Sequence, residues 1–171
     1  MQLNGLIHTF PKTVKLFLLF FLLALSFGFF TGFKFLKHTT KLSSTGIEQN
    51  YNGNQKLQKD GEEMLFKKSE SDIMTIIHTH ALSMSLIFFA LGIILLTTSI
   101  NAKLKLFLLI EPFISIIITF GGIWLMWKEV NWFKYIVMIS GIFLTASFVI
   151  IVLIILWQLL ISTKDNNKHI S

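Results

Sequence analysis

The sequence predicts an all-α membrane protein, an antiparallel bundle of four transmembrane helices with one extramembrane loop between the first and second. Three observations predict it. Of the 171 residues, 53% are hydrophobic and only 14% charged, a balance unsuited to a small soluble domain. The apolar residues fall into long unbroken runs, without the three-to-four-residue spacing that gives a soluble helix one wet face. The 15 basic residues are all lysine, and most of them flank those runs as anchors at a membrane surface do.

The first helix is expected at about 14–37, around the uncharged run from Leu16 to Phe33, with Lys34 and Lys37 reaching toward the headgroups. Its apolar stretch is longer than the core of a signal peptide, and no small-x-small cleavage site follows closely, so it reads as a retained helix. The loop covers 39–72. Within it Asn52-Gly53 predicts a turn, and Glu62 to Ser69 predicts a short interfacial helix that rests Met64, Leu65 and Phe66 on lipid. The second helix is expected at 73–100, with Asp72 placed to cap it and to favour its N-terminal dipole. The third, 105–127, is interrupted by Glu111-Pro112. The fourth, 134–162, is uncharged from Tyr135 onward. Each exceeds the roughly 20 residues that cross about 30 Å of hydrocarbon at about 1.5 Å per residue. Together they form one membrane domain, 1–171, with both termini on the same side.

Lysine counts bear on orientation. Lys12, Lys15, Lys103, Lys105, Lys164 and Lys168 lie on the terminal side, and the other nine of the 15 lie on the loop side. The raw count therefore favours a cytoplasmic loop. The loop, however, mixes its lysines with Glu48, Asp60, Glu62, Glu63, Glu70 and Asp72 and resembles an exported segment, which places the termini in the cytoplasm of a bacterial inner membrane.

Composition also excludes function classes. Without cysteine there is no structural disulfide, thiolate zinc site, iron–sulfur cluster, lipoprotein anchor or covalent Cys-x-x-Cys-His haem. The +6 charge is spent at membrane boundaries, which argues against nucleic-acid binding. There is no Walker-type phosphate loop, nucleophile elbow or His-Glu-x-x-His helix, so a hydrolase is not indicated.

Ionisable groups inside a spanning helix are costly and so are candidates for function. His78 and His80 lie one to two turns into the second helix, on the loop side. Two residues apart on a helix means about 200°, so the rings face nearly opposite directions and cannot both grip one ion without distorting the helix. A bis-imidazole b-type haem held by His38 and one of His78 or His80 is topologically possible if the first helix runs on to about Thr40; Met84 offers an alternative axial sulfur. A copper ion at His78 or His80 is another reading. The plainest is that the imidazoles hydrogen-bond to Tyr51, Thr75 or a carbonyl of a neighbouring helix and bind no cofactor.

Glu111 is a proton-relay candidate, against the simpler reading that the membrane part of the third helix starts at Glu111 or Pro112 and leaves the carboxyl near water. Gly28 and Gly32 on the first helix, and Ala81, Ser85 and Gly92 on the second, are small-residue stripes for helix packing. Trp124, Trp127 and Trp132 on the loop side and Trp157 on the other read as interfacial belts.

Gly46-Ile47, Tyr51-x-Gly53, His78-x-His80, Glu111-Pro112-Phe113 and Gly121-Gly122 in this order resemble small uncharacterised bacterial four-helix inner-membrane proteins. That resemblance implies the architecture and carries no activity. His-x-His on a spanning helix is also similar to the helix of haem–copper oxidases that offers one ring to each of two haems, although nothing else in the chain resembles those enzymes. The expected function is an accessory subunit, haem-binding or not, of a respiratory or other redox assembly, without catalytic activity of its own and in contact with lipid and other membrane subunits. A cofactor-free structural or assembly subunit is the alternative. A small transporter or channel is disfavoured because no repeated half or ion pathway is visible.

Overall fold

The structure is a computed structural model that describes residues 3–54 and 64–168, with side chains described as far as residue 161. After a 3-10 turn at Leu6–Thr9 come α1 (Lys12–Thr40), α2 (Ser44–Asn52), α3 (Glu70–Leu96), α4 (Ala102–Trp127) and α5 (Phe133–Lys168). No strand occurs among the described residues. Four helices are long and apolar enough to cross a bilayer: α1, α3, α4 and the Phe133–Ile161 part of α5. The protein is thus an all-helical, multi-pass membrane bundle.

The spans start and stop where local chemistry dictates. α3 begins earlier than its apolar run, because Ser69 and Asp72 form a capping box: Ser69 Oγ accepts from the Asp72 N–H at 3.2 Å and the Ser69 N–H donates to Asp72 Oδ2 at 3.3 Å. Asn101 caps α4, its Oδ1 accepting from the Lys103 N–H at 2.9 Å. α1 continues to Thr40, past both Lys37 and His38.

The connecting loop is more ordered in one part and less helical in another than the sequence suggests. α2 occupies what reads as plain loop. Ser43 caps it by accepting from the Gly46 N–H at 3.0 Å, and Gly53, at φ 78°, ends it. Gly46 has no room for a Cβ, which would run into the Thr40 carbonyl at the α1–α2 corner.

The interfacial helix expected at Glu62 to Ser69 does not form over 64–69, and Glu62 and Glu63 lie outside the described residues. The backbone of this segment is satisfied by other partners. Leu65 exchanges bonds with Asn54, the Lys68 N–H donates to the Tyr51 carbonyl at 3.0 Å, and the Trp127 indole donates to the Lys68 carbonyl at 3.0 Å. Once those groups pair across the fold, a helix turn has nothing left to add. Trp127 is buried by this role, which an interfacial belt alone does not require.

α4 and α5 are the central antiparallel pair; α3 packs on α4, and α1 has α5 and α2 as its principal neighbours. Gly122 lets α5 close on α4, because a Cβ there would lie 2.8 Å from Val137 Cγ2. Phe148 on α5 joins three helices. Its ring stacks on Phe29 of α1 at 4.1 Å between centroids and meets Phe88 of α3 edge-on at 6.3 Å.

On the terminal side, Gln158 reads the backbone of Ser99, accepting from its N–H at 2.8 Å and donating to its carbonyl at 3.1 Å. Lys105 donates to the Thr98 carbonyl at 2.5 Å and to Leu96 at 3.3 Å, covering carbonyls that the end of α3 leaves open. On the loop side, Lys134 pairs with Glu48 at 2.7 Å and ties α5 to α2.

Because the Phe148 ring on α5 meets rings of both α1 and α3, Phe148→Ala is expected to destabilise the bundle by about 3 kcal/mol. Ile142→Ala, on the lipid-facing side of the same helix, is expected to change stability by less than about 0.5 kcal/mol. Thermal or denaturant unfolding in detergent micelles compares the two.

Candidate functional site

Two groups of polar residues lie within the apolar spans, and they differ in how their hydrogen bonds are met. The first is the histidine pair on α3. Both side chains are exposed. His80 turns toward α4, its ring 5.8 Å from the Phe120 ring, and its Nδ1 lies 2.9 Å from the Ile76 carbonyl of its own helix. The bond is therefore within the helix, where the plain reading of the sequence expected an interhelical one. In a neutral ring that donates through Nδ1, Nε2 is the acceptor. His78, about 160° further round, makes no hydrogen bond among the described residues and faces away from the bundle.

His38 sits on the exposed side of α1 near its end, on a helix whose principal neighbours are α2 and α5, whereas His78 and His80 belong to α3. The fold does not gather these three rings into one site: no group of three or more His, Asp or Glu side chains with metal-binding geometry occurs among the described residues. Met84 is half-buried one turn beyond His80 and packs against the apolar core.

The second group is a polar seam between α4 and α5. α4 is continuous from Ala102, with Pro112 inside it, so the helix does not begin at Glu111. Glu111 is buried, 9% exposed, about 13 Å along the helix axis from Ala102. Ser115 on the same helix donates to Glu111 Oε1, and Ser147 on α5 donates to Oε2. One turn further, Thr119 donates to Ser140 Oγ at 2.8 Å, and Ser140 returns its proton to the Ile136 carbonyl of its own helix at 2.9 Å. Both carboxylate oxygens are thus met inside the protein, as burial of such a group demands.

Sequence reasoning points to Glu111 but misses Ser115, Thr119, Ser140 and Ser147. A signal was there: Glu111, Ser115 and Thr119 fall at i, i+4 and i+8, one row on an otherwise apolar helix, and Ser140 and Ser147 fall at i and i+7. Beside this seam a lateral cleft of about 370 Å³ opens between α4 and α5, walled by Phe107, Ile114, Ile118, Ile139 and Phe143. Its surface is almost wholly apolar, because the carboxyl and hydroxyl oxygens point into the seam behind it.

The small-residue stripes have different fates. Gly92 is buried, and a Cβ there would lie 3.2 Å from Leu109 of α4; Ala81 and Ser85, higher on α3, are half-buried. Gly28 and Gly32 on α1 are exposed, with nothing within 4 Å of a Cβ, so no described helix rests on them.

The profile of a transmembrane helical domain family, Aq_1264_TM, matches residues 41–166. The chain belongs to that family. No curated protein and no solved structure matches it. The Aq_1264_TM region takes in α2, α3, α4 and most of α5, hence both polar groups, while α1 precedes it.

Within the Aq_1264_TM domain the Glu111 seam acts as interhelical glue. A double-mutant cycle with Glu111→Gln and Ser147→Ala should give a coupling of about 1 kcal/mol, in the range of hydrogen bonds between membrane helices. Measured by unfolding in detergent, a coupling near zero would mean the two side chains do not meet.

Proposed function

We propose that this protein is a non-catalytic subunit of a larger assembly in a bacterial inner membrane, joined to its neighbours through the histidine-bearing face of α3. The observation that carries the reading is the contrast between the two polar groups. The carboxyl of Glu111, with the more costly charge, is fully met within the chain, while His78 is left outward at a depth of hydrocarbon. An imidazole facing lipid has no hydrogen-bond partner there, and a neighbouring protein surface supplies one.

His78 or His80 would give one imidazole to a b-type haem on this face, and a neighbouring subunit would have to give the other, since α1 does not bring His38 alongside. A single copper ion would likewise need ligands from elsewhere. The cofactor-free form of the same subunit needs only polar groups on the partner.

The purified assembly, extracted gently, tests this. A Soret band that is lost in His78→Ala or His80→Ala with the fold retained supports haem; no band after expression with ample haem retires it. Copurification with other membrane subunits supports the subunit reading, and recovery as free monomer alone contradicts it.

The termini are read as cytoplasmic, because the acid-rich loop resembles an exported segment. The chain lacks cysteine, so Thr45→Cys on the exposed side of α2 reports orientation cleanly. A membrane-impermeant maleimide should label it from outside intact spheroplasts; labelling only after lysis would reverse the assignment.

A further inference from the structure

We propose that the partner on α3 is a second copy of this chain, docked about a two-fold axis along the membrane normal so that His78 of one copy meets His78 of the other. The inference rests on the subunit reading above and names the occupant of the same face.

The outward surface of α3 has a consistent pattern. Ser71, Thr75, His78, Leu82, Leu86 and Phe89 recur at steps of three or four and are all exposed, so they form one stripe down the helix. Its loop-side half is hydroxyl and imidazole; the other half is aliphatic and aromatic. The hydroxyls are already satisfied locally, with Thr75 Oγ1 donating to the Ser71 carbonyl at 2.8 Å and Ser71 Oγ 2.9 Å from Ser69 Oγ. His78 alone on the stripe keeps both a donor and an acceptor unmet among the described residues.

Two features of the face favour a copy of itself over a different protein. A two-fold interface must be complementary to itself. A carboxylate or an ammonium on the stripe would meet its own charge there, and the stripe has neither. What it has is an imidazole, which carries one N–H and one lone pair and can therefore pair with its own kind. The second feature is depth. An axis along the membrane normal brings every residue opposite its own equivalent at the same level of the bilayer, so a group stranded about 12 Å along the axis from Glu70 finds its match with no shift of register.

Single-cysteine variants of the full chain test this in native membranes, since no other cysteine competes. With mild oxidation Thr75→Cys and Leu82→Cys should give disulfide-linked dimers of twice the chain mass. Met84→Cys, on the opposite side of α3, and Phe27→Cys, on the lipid face of α1, should stay monomeric. His78→Ala combined with Leu82→Cys should lower the linked fraction at least threefold, while His80→Ala with Leu82→Cys should leave it unchanged. Equal cross-linking at positions 27 and 82 would overturn the proposal. A photoreactive residue at position 82 separates the two levels of the argument. An adduct only with a different polypeptide overturns the second-copy inference and keeps the subunit reading, and no adduct with any protein overturns both.

Discussion

Hydrocarbon offers a buried polar group no hydrogen bond, and that constraint shapes this bundle more than any single contact. Inside the spans polar side chains other than His78 have one of two solutions. Hydroxyls on exposed faces bond back to their own helix, as Thr31 does to Gly28, Thr75 to Ser71 and Ser83 to Thr79. Groups with more demanding chemistry turn inward and are met by a second helix, as Glu111 is by Ser147 and Gln158 is by the backbone of Ser99. The packing of α4 against α5 follows from this. It is the pair that hides a carboxyl, three serines and Thr119, and it is also the most extensively packed pair among the described helices.

The same constraint explains how much could be read from the sequence. The four spans were legible because a bilayer demands long apolar runs, and their ends moved by only a few residues once caps such as Ser69 were in place. Elements governed by tertiary partners were not legible. α2 is nine residues of mixed polarity, held by the Ser43 cap, the Gly46 corner and the Glu48–Lys134 pair, none of which leaves a periodic signal. The stretch after residue 63 looks amphipathic, yet its backbone is taken up by Asn54, Tyr51 and Trp127. Glu111 was visible as an oddity, but Pro112 suggested a helix start. Only the partners on α5 show why a proline is tolerated mid-helix here, in a helix buried against a neighbour on the side where the carboxyl lies.

The family match divides the chain in a physically sensible way. Residues 41–166 contain the tightly packed α3, α4 and α5 with α2 across their loop-side end. α1, outside the match, is the least buried span and touches the rest through a few positions such as Leu18, Leu22 and Phe29. Buried polar residues concentrate in the family domain, whereas α1 contributes mainly apolar area and open glycines.

A nitroxide scan along α4 in lipid vesicles, one label at a time from 106 to 126, tests this account most directly. Collision with oxygen should peak with helical period at exposed positions such as 110, 114, 117 and 125 and fall at 108, 115, 119 and 126, while a water-soluble relaxation agent stays excluded throughout. Entry of the soluble agent at 114 and 117, or an oxygen profile with no period, would contradict it, because lipid would then not surround the seam.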